Sequence, residues 1–171
     1  GVILEVKDYE YCDIHDFIYD DNSFVVILDH IEDPHNFGAI IRTCEAAGVN
    51  GIIIPDKRSV SVNSTVIKTS VGTTNNMKIA SVTNLVNTIK ILKDKGFWIY
   101  GTDMIGTDYT KLDYNGKIAI VCGNEGDGIS RLVKENCDFM ASIPMSGKVN
   151  SLNASNASAI AVYEVVRQRS K

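Results

Sequence analysis

The stretch FVVILDHIEDPHNFGAIIRTCEAAGVNGIII, Phe24 to Ile54, decides the fold. It opens on a continuous apolar run, FVVIL, of the kind found in strands covered on both faces. A helical pattern follows. Over Asn36 to Ala47 the apolar residues Phe37, Ile40, Ile41 and Cys44 recur at the spacing of one helix face. Pro34 and Asn36 suit the helix entry, with Asn36 able to cap the first exposed N–H groups, and Gly48 suits its end. A second short apolar run, GIII from Gly51 to Ile54, closes the unit. Strand, helix and strand in this order point to an α/β protein with a mostly parallel sheet flanked by helices.

The same alternation continues outward. FWIY at Phe97 to Tyr100 and IAIVC at Ile118 to Cys122 read as further strands, and Leu85, Ile89 and Leu92 mark a helix over Asn84 to Lys95. Gly96 and Gly101 punctuate these elements as turns would. The last segment, NASNASAIAVYEVVRQR from Asn153 to Arg169, reads as a helix whose first half is crowded with small residues. Such a face serves tight core packing, a bound cofactor or a second subunit equally well. No repeat or low-complexity linker divides the chain.

A length of 171 residues with 44% hydrophobic and 22% charged content fits a single globular domain with a real core. No run approaches the ~20 apolar residues of a membrane helix. Cys12, Cys44, Cys122 and Cys137 are scattered without CxxC spacing, which argues against a zinc knuckle and for free thiols in a reducing cytoplasm. His15, His30 and His35 show no metal-ligand spacing either, so no metal is expected. The net charge of −4 and pI near 5.3 lack the basic footprint usual for nucleic-acid binding. A local patch from Arg42, Arg131, Lys134, Lys148, Arg167 and Arg169 is the way such a chain would still hold a polyanion.

Three segments carry chemistry. In DPHNFGAIIRTCEAAG, Asp33 to Gly48, Arg42 is a charged residue amid Ile40, Ile41, Thr43 and Cys44, where its fixed fork could grip a phosphate or carboxylate. An ion pair with Glu45 or Asp33 is the structural alternative. IAIVCGNEGDGIS places Gly123, Gly126 and Gly128 after a strand, where backbone can approach a ligand. It lacks both GxGxxG and the P-loop ending, and Glu125 with Asp127 suits a sulfonium or hydroxyl ligand better than a triphosphate. In IPMSGKVNSLNASNASA, Ile143 to Ala159, Ser151 and Asn153 are capable helix caps. The apolar Ile143, Met145 and Leu152 around them could form a slot for an adenine ring.

Taken in order, the segments resemble the three motifs of the SpoU (TrmH-like) branch of the SPOUT RNA methyltransferases. DPxNxGxxxR is met by Asp33, Pro34, Asn36, Gly38 and Arg42, and GxExxG by Gly123, Glu125 and Gly128. IPMxGxVxSLNxSxA is met by Ile143, Pro144, Met145, Gly147, Val149, Ser151, Leu152, Asn153, Ser155 and Ala157. The resemblance runs from about Phe24 to Arg169. It departs at IKTSVGTTNN, Ile67 to Asn76, where relatives carry an SxGA-like turn and this chain has Thr73 in place of the Ala.

The resemblance implies a SPOUT fold with a C-terminal deep trefoil knot, a topology that general folding rules make rare. It implies transfer of a methyl group from S-adenosyl-L-methionine (SAM) to a ribose 2′-hydroxyl of structured RNA by a homodimer joined through its first and last helices. It places SAM against Thr102, Gly123, Asn124, Ile143, Met145, Ser151, Leu152 and Asn153. Catalytic work is implied for Arg42, Asn36, Glu125, Ser151 and Asn153, with Asn36 orienting Arg42 or the ribose. The opening GVILEV resembles the junction after an amino-terminal RNA-binding domain in ribosomal RNA guanosine 2′-O-methyltransferases. Residues 1–20 are therefore expected to be a junction and 21–171 the catalytic domain, acting on 23S ribosomal RNA. A tRNA guanosine 2′-O-methyltransferase is the alternative within the family; a non-catalytic RNA-binding or SAM-sensing module is the alternative outside it.

Overall fold

A computed structural model of the chain describes residues 9–171. The opening GVILEV, read above as a domain junction, lies outside the described residues.

Six strands form one sheet in the order β3-β2-β1-β5-β4-β6, every pairing parallel. They are β1 (Phe24–Asp29), β2 (Gly51–Pro55), β3 (Ile79–Val82), β4 (Trp98–Asp108), β5 (Ile118–Gly123) and β6 (Phe139–Ser142). Among the described residues five α-helices join or cover them: α1 (Pro34–Ala46), α2 (Ser64–Thr69), α3 (Leu85–Asp94), α4 (Arg131–Glu135) and α5 (Ala154–Arg169). The four apolar runs all become strands. Gly101 is a correction: it lies inside β4, where an added Cβ would meet Met140 Sδ at 2.8 Å, so it permits strand packing and makes no turn.

Alternation along the central strands sends side chains to two cores. On one face Val26, Leu28, Ile52, Ile54, Ile118 and Ile120 meet Phe37, Ile40, Ile41 and Cys44 of α1 and Ala161, Val162 and Val165 of α5. On the other, Val25, Ile27, Ile53, Ala119 and Val121 meet Leu85, Ile89 and Leu92 of α3. Phe37, Ile40 and Ile41 are 0% exposed, and each such burial contributes about 1.5–3 kcal/mol. The expected boundary at residue 20 falls inside packed structure. Ile14, Phe17 and Ile18 are buried in the second core, and Cys12 donates its N–H to the Ile79 carbonyl at 3.0 Å.

Chain direction away from β1 reverses between β1 and β5: β2 and β3 lie to one side, β4 and β6 beyond the other. In a parallel sheet the crevice for a ligand opens at the carboxyl ends of the strands flanking such a reversal. Asp29 and Gly123 face each other there in register. From the edge strand β6 the chain must return across β4 to set α5 on β5 and α1. That return carries residues 143–153, the third motif, to the same crevice.

Candidate active site

Entry into α1 frees a key amide. Asp33, not Asn36, caps the helix, accepting from the N–H of His35 at 2.7 Å and of Asn36 at 3.4 Å, with Pro34 at the first helical position. The buried Asn36 side chain turns instead to the other two motifs. Its Nδ2 donates to Glu125 Oε1 at 2.8 Å, and its Oδ1 accepts from Asn153 Nδ2 at 3.0 Å. Chemistry sets this direction. An ionised carboxylate only accepts, so Nδ2 must face Glu125. Asn153 Oδ1 is engaged at the start of α5 by the N–H of Ser155 at 2.9 Å and of Asn156 at 3.4 Å, and by Ser155 Oγ at 2.6 Å, leaving its Nδ2 for Asn36.

The glycine loop after β5 hangs from the end of β1. Asp29, 1% exposed, accepts from the N–H and Oγ of Ser130 at 2.6 and 2.7 Å and is also bonded by His30 Nδ1. Asn124 Nδ2 donates to the His30 carbonyl at 2.6 Å, while Asn124 Oδ1 accepts from Gly126 N–H at 2.8 Å. Both ends of the loop are thus held. Gly123 makes room for protein rather than ligand, since a Cβ there would meet the Gly128 backbone at 2.3 Å. Asp29 closes the apolar FVVIL run, and a carboxylate ending a buried strand is the sequence signal that marks it.

A cleft of about 240 Å³ opens beside this network. Thr102, Gly123, Asn124, Ile143, Met145, Ser151 and Leu152 all line it, together with Glu125. Asn153 is exposed and does not line it; its side chain caps α5. Ala154, Ala157 and Ser158 line the cleft from α5, so part of the small-residue face borders a cavity. Sequence reasoning missed Asp103, Met104, Cys122 and Asn150, which also line it. Burial opposes ionisation of Asp103, yet a bond from Lys134 and the N–H of Met104 hold its carboxyl below the usual range. Burial pushes the Cys122 thiol up to about 11, so it is a neutral wall group near pH 7.

Arg42 stands apart. It is exposed, does not line the cleft, and pairs with neither Glu45 nor Asp33. Asn36 bonds Glu125 and Asn153 rather than Arg42. Most of the expected basic patch is also engaged by other groups. Arg131 pairs with Glu135, Lys134 with Asp103 and Arg167 with Glu164, while Arg169 donates to the carbonyls of Asn22 and Tyr114. Among the described residues no cluster of His, Cys, Asp or Glu could hold a metal ion, and no helix is long and apolar enough to cross a membrane.

Comparison with known proteins places this architecture. The SpoU rRNA methylase family model matches residues 23–163. A protein of Staphylococcus saprophyticus described as a TrmH family tRNA/rRNA methyltransferase is 50% identical, over 99% of this chain and 70% of its own length. The SpoU methyltransferase AviRb from Streptomyces viridochromogenes, in complex with the cofactor AdoMet, superposes with a TM-score of 0.86 at 28% identity. That match covers 93% of this chain, which spans 62% of the AviRb chain. The TrmH/SpoU tRNA modifying enzyme of A. aeolicus superposes with a TM-score of 0.80 at 32% identity, covering 87% of this chain and 76% of its own. Matched across 23–163 and half identical to a relative along nearly its whole length, the chain belongs to the SpoU rRNA methylase family.

Proposed function

We propose that this chain binds SAM in the cleft and catalyses methyl transfer to a ribose 2′-hydroxyl of structured RNA, a guanosine of 23S ribosomal RNA foremost. One observation carries the reading: residues 36, 125 and 153, from three chain-distant motifs, join through one amide beside the cleft. The AdoMet bound by the structural neighbour AviRb supports the choice of cofactor.

The lining fits that cofactor. Ile143, Met145 and Leu152 offer apolar walls for the adenine, and the small residues of α5 leave it space. Glu125 and Asp127 give the cleft an acidic rim suited to a cationic sulfonium and amine. When bound, SAM supplies an electrophilic methyl on a charged sulfur. The protein's part is positioning and water exclusion, because displacement at a sulfonium annihilates charge. Asn36 and Asn153 hold the Glu125 loop in place, and Ser151 shapes the pocket mouth. Arg42 remains cationic, since its guanidinium does not deprotonate near neutral pH. Making no ion pair or side-chain hydrogen bond among the described residues, it holds the phosphate and ribose and stabilises the developing alkoxide while a phosphate oxygen or water accepts the proton.

The chain works as a homodimer through the outer faces of its first and last helices, where Tyr163 of α5 is 46% exposed. The return of residues 143–153 threads the family's trefoil knot. The four free cysteines accord with a cytoplasmic location.

The test is transfer of labelled methyl from SAM to unmodified ribosomal and transfer RNA, followed by mapping of the ribose-methylated nucleotide. Label in a 23S guanosine supports the whole reading, label in tRNA moves the substrate, and no label in either contradicts catalysis. Sedimentation equilibrium checks the dimer; a monomer at micromolar concentration counts against it.

A further inference from the structure

The cations expected to hold RNA are mostly committed elsewhere, so the polyanion needs another surface. Residues 56–78, between β2 and β3, provide one. Lys57, Arg58 and Lys68 are exposed there, and like Arg42 their side chains make no ion pair or hydrogen bond among the described residues. Glu32, Glu45 and Asp56 are close in sequence or fold, yet none of them pairs with these cations either.

The segment is fastened to the loop that leads into the first motif. Val60 N–H donates to the Ile31 carbonyl at 2.9 Å and Ser59 Oγ to the same oxygen at 3.2 Å. Because every strand is parallel, Lys57 and Arg58, just past the end of β2, lie at the edge where the cleft opens. Further on, α2 packs so closely on α1 that a Cβ on Gly38 would meet Thr69 Cβ at 2.6 Å. Arg42 is one helical turn beyond Gly38 on the same face, and Lys68 precedes Thr69, so the two cations flank one seam.

The backbone gives a second, independent sign. Arg58 has φ 54 and Val71 has φ 57, in the left-handed region that non-glycine residues seldom adopt. For the β-branched, exposed Val71 that conformation is strained. Such strain concentrates in segments that contact ligands.

We propose that the strip carrying Lys57, Arg58 and Lys68 is where the RNA backbone lies, each of these cations facing a phosphate and Arg42 next in line toward the cleft. The proposal rests on the RNA methyl-transfer reading and names the surface that reading lacks. Phosphate contacts set register and affinity without reading sequence.

The test compares the full chain with the Lys57→Gln/Lys68→Gln variant on an unmodified 23S ribosomal RNA transcript. A Lys90→Gln/Lys95→Gln variant on and beside α3 is the control with the same change in net charge. Losing two phosphate contacts should lower the slope of log affinity against log salt by roughly 1.5. KM for the RNA should rise tenfold or more, while kcat and SAM affinity stay within twofold and the control matches wild type. Adding Arg58→Asn, which tolerates the left-handed backbone, should deepen the loss. If wild type methylates the transcript but the first variant keeps its slope and KM, or the control loses as much, the strip is overturned and the methyl-transfer reading stands. If wild type neither binds nor methylates that transcript or unmodified tRNA, both fall.

Discussion

The Asn36 amide spans Glu125 and Asn153, donating to the first at 2.8 Å and accepting from the second at 3.0 Å. No other side chain among those described joins all three motifs. Asn36→Asp removes the donor and sets a second carboxylate against Glu125. Loss of a hydrogen bond to a charged group costs about 1.5–3 kcal/mol. Methyl transfer should fall at least a hundredfold, with a lower unfolding temperature. Activity within threefold of wild type would show that the bridge does not organise the site.

Arg42 and Leu152 should fail in opposite ways. Arg42 lies outside the cleft lining, so Arg42→Ala should nearly abolish kcat while SAM affinity, by calorimetry, stays within a fewfold. Leu152 lines the cleft, so Leu152→Glu should weaken SAM binding at least tenfold. An unchanged dissociation constant for the Leu152 variant removes the adenine slot, and an active Arg42 variant removes its assigned role.

The bonds from Asp29 to Ser130 suspend the cleft-lining loop from the core sheet. Asp29→Ala should lower stability by about 2–3 kcal/mol, in line with charged hydrogen bonds lost in a buried place. Amide exchange over residues 124–130 should accelerate while α3 keeps its protection, and SAM affinity should drop tenfold. A uniform rise in exchange would assign Asp29 to global stability alone.

High pH should unfold the protein in a defined window. Burial, the largest cause in each case, pushes Cys122 up to about 11 and Tyr100 and Cys137 up to about 12. These groups are neutral when protonated, and the folded chain holds their protons more tightly than the unfolded one. Unfolding above pH ~9 therefore releases protons, and stability, fully present below that point, falls as pH rises toward 12. Far-UV dichroism with tyrosinate absorbance reads this directly. Ionisation of every tyrosine near pH 10 with the fold intact would contradict it.

Much of the fold was legible because the central strands are buried on both faces. Phe24 to Leu28 and Ile118 to Cys122 leave continuous apolar runs that no surface element carries. The short β3 and β6 were harder to read. Each carries only two or three apolar residues, Ile79 and Ala80 before Ser81 and Phe139 to Ala141 before Ser142, too short a run to mark a strand. Seven of the eight expected cofactor contacts line one cleft; Ile143, Met145 and Leu152 were legible as an apolar slot, while Thr102 and Asn124 came from the family resemblance alone. Pairings between distant residues left no local trace. The engagement of Lys134 by Asp103 and the bridge from Asn36 to Glu125 and Asn153 depend on what the sheet brings together, whereas the capping of α1 by Asp33 is local, two and three residues along the chain.

A crystal structure with SAM bound tests the central claim most directly. The account predicts the adenosine between Ile143, Met145 and Leu152 and the sulfonium on the acidic side of the cleft near Glu125. SAM bound elsewhere on the chain, or a complex in which Asn36 no longer joins Glu125 to Asn153, would contradict it.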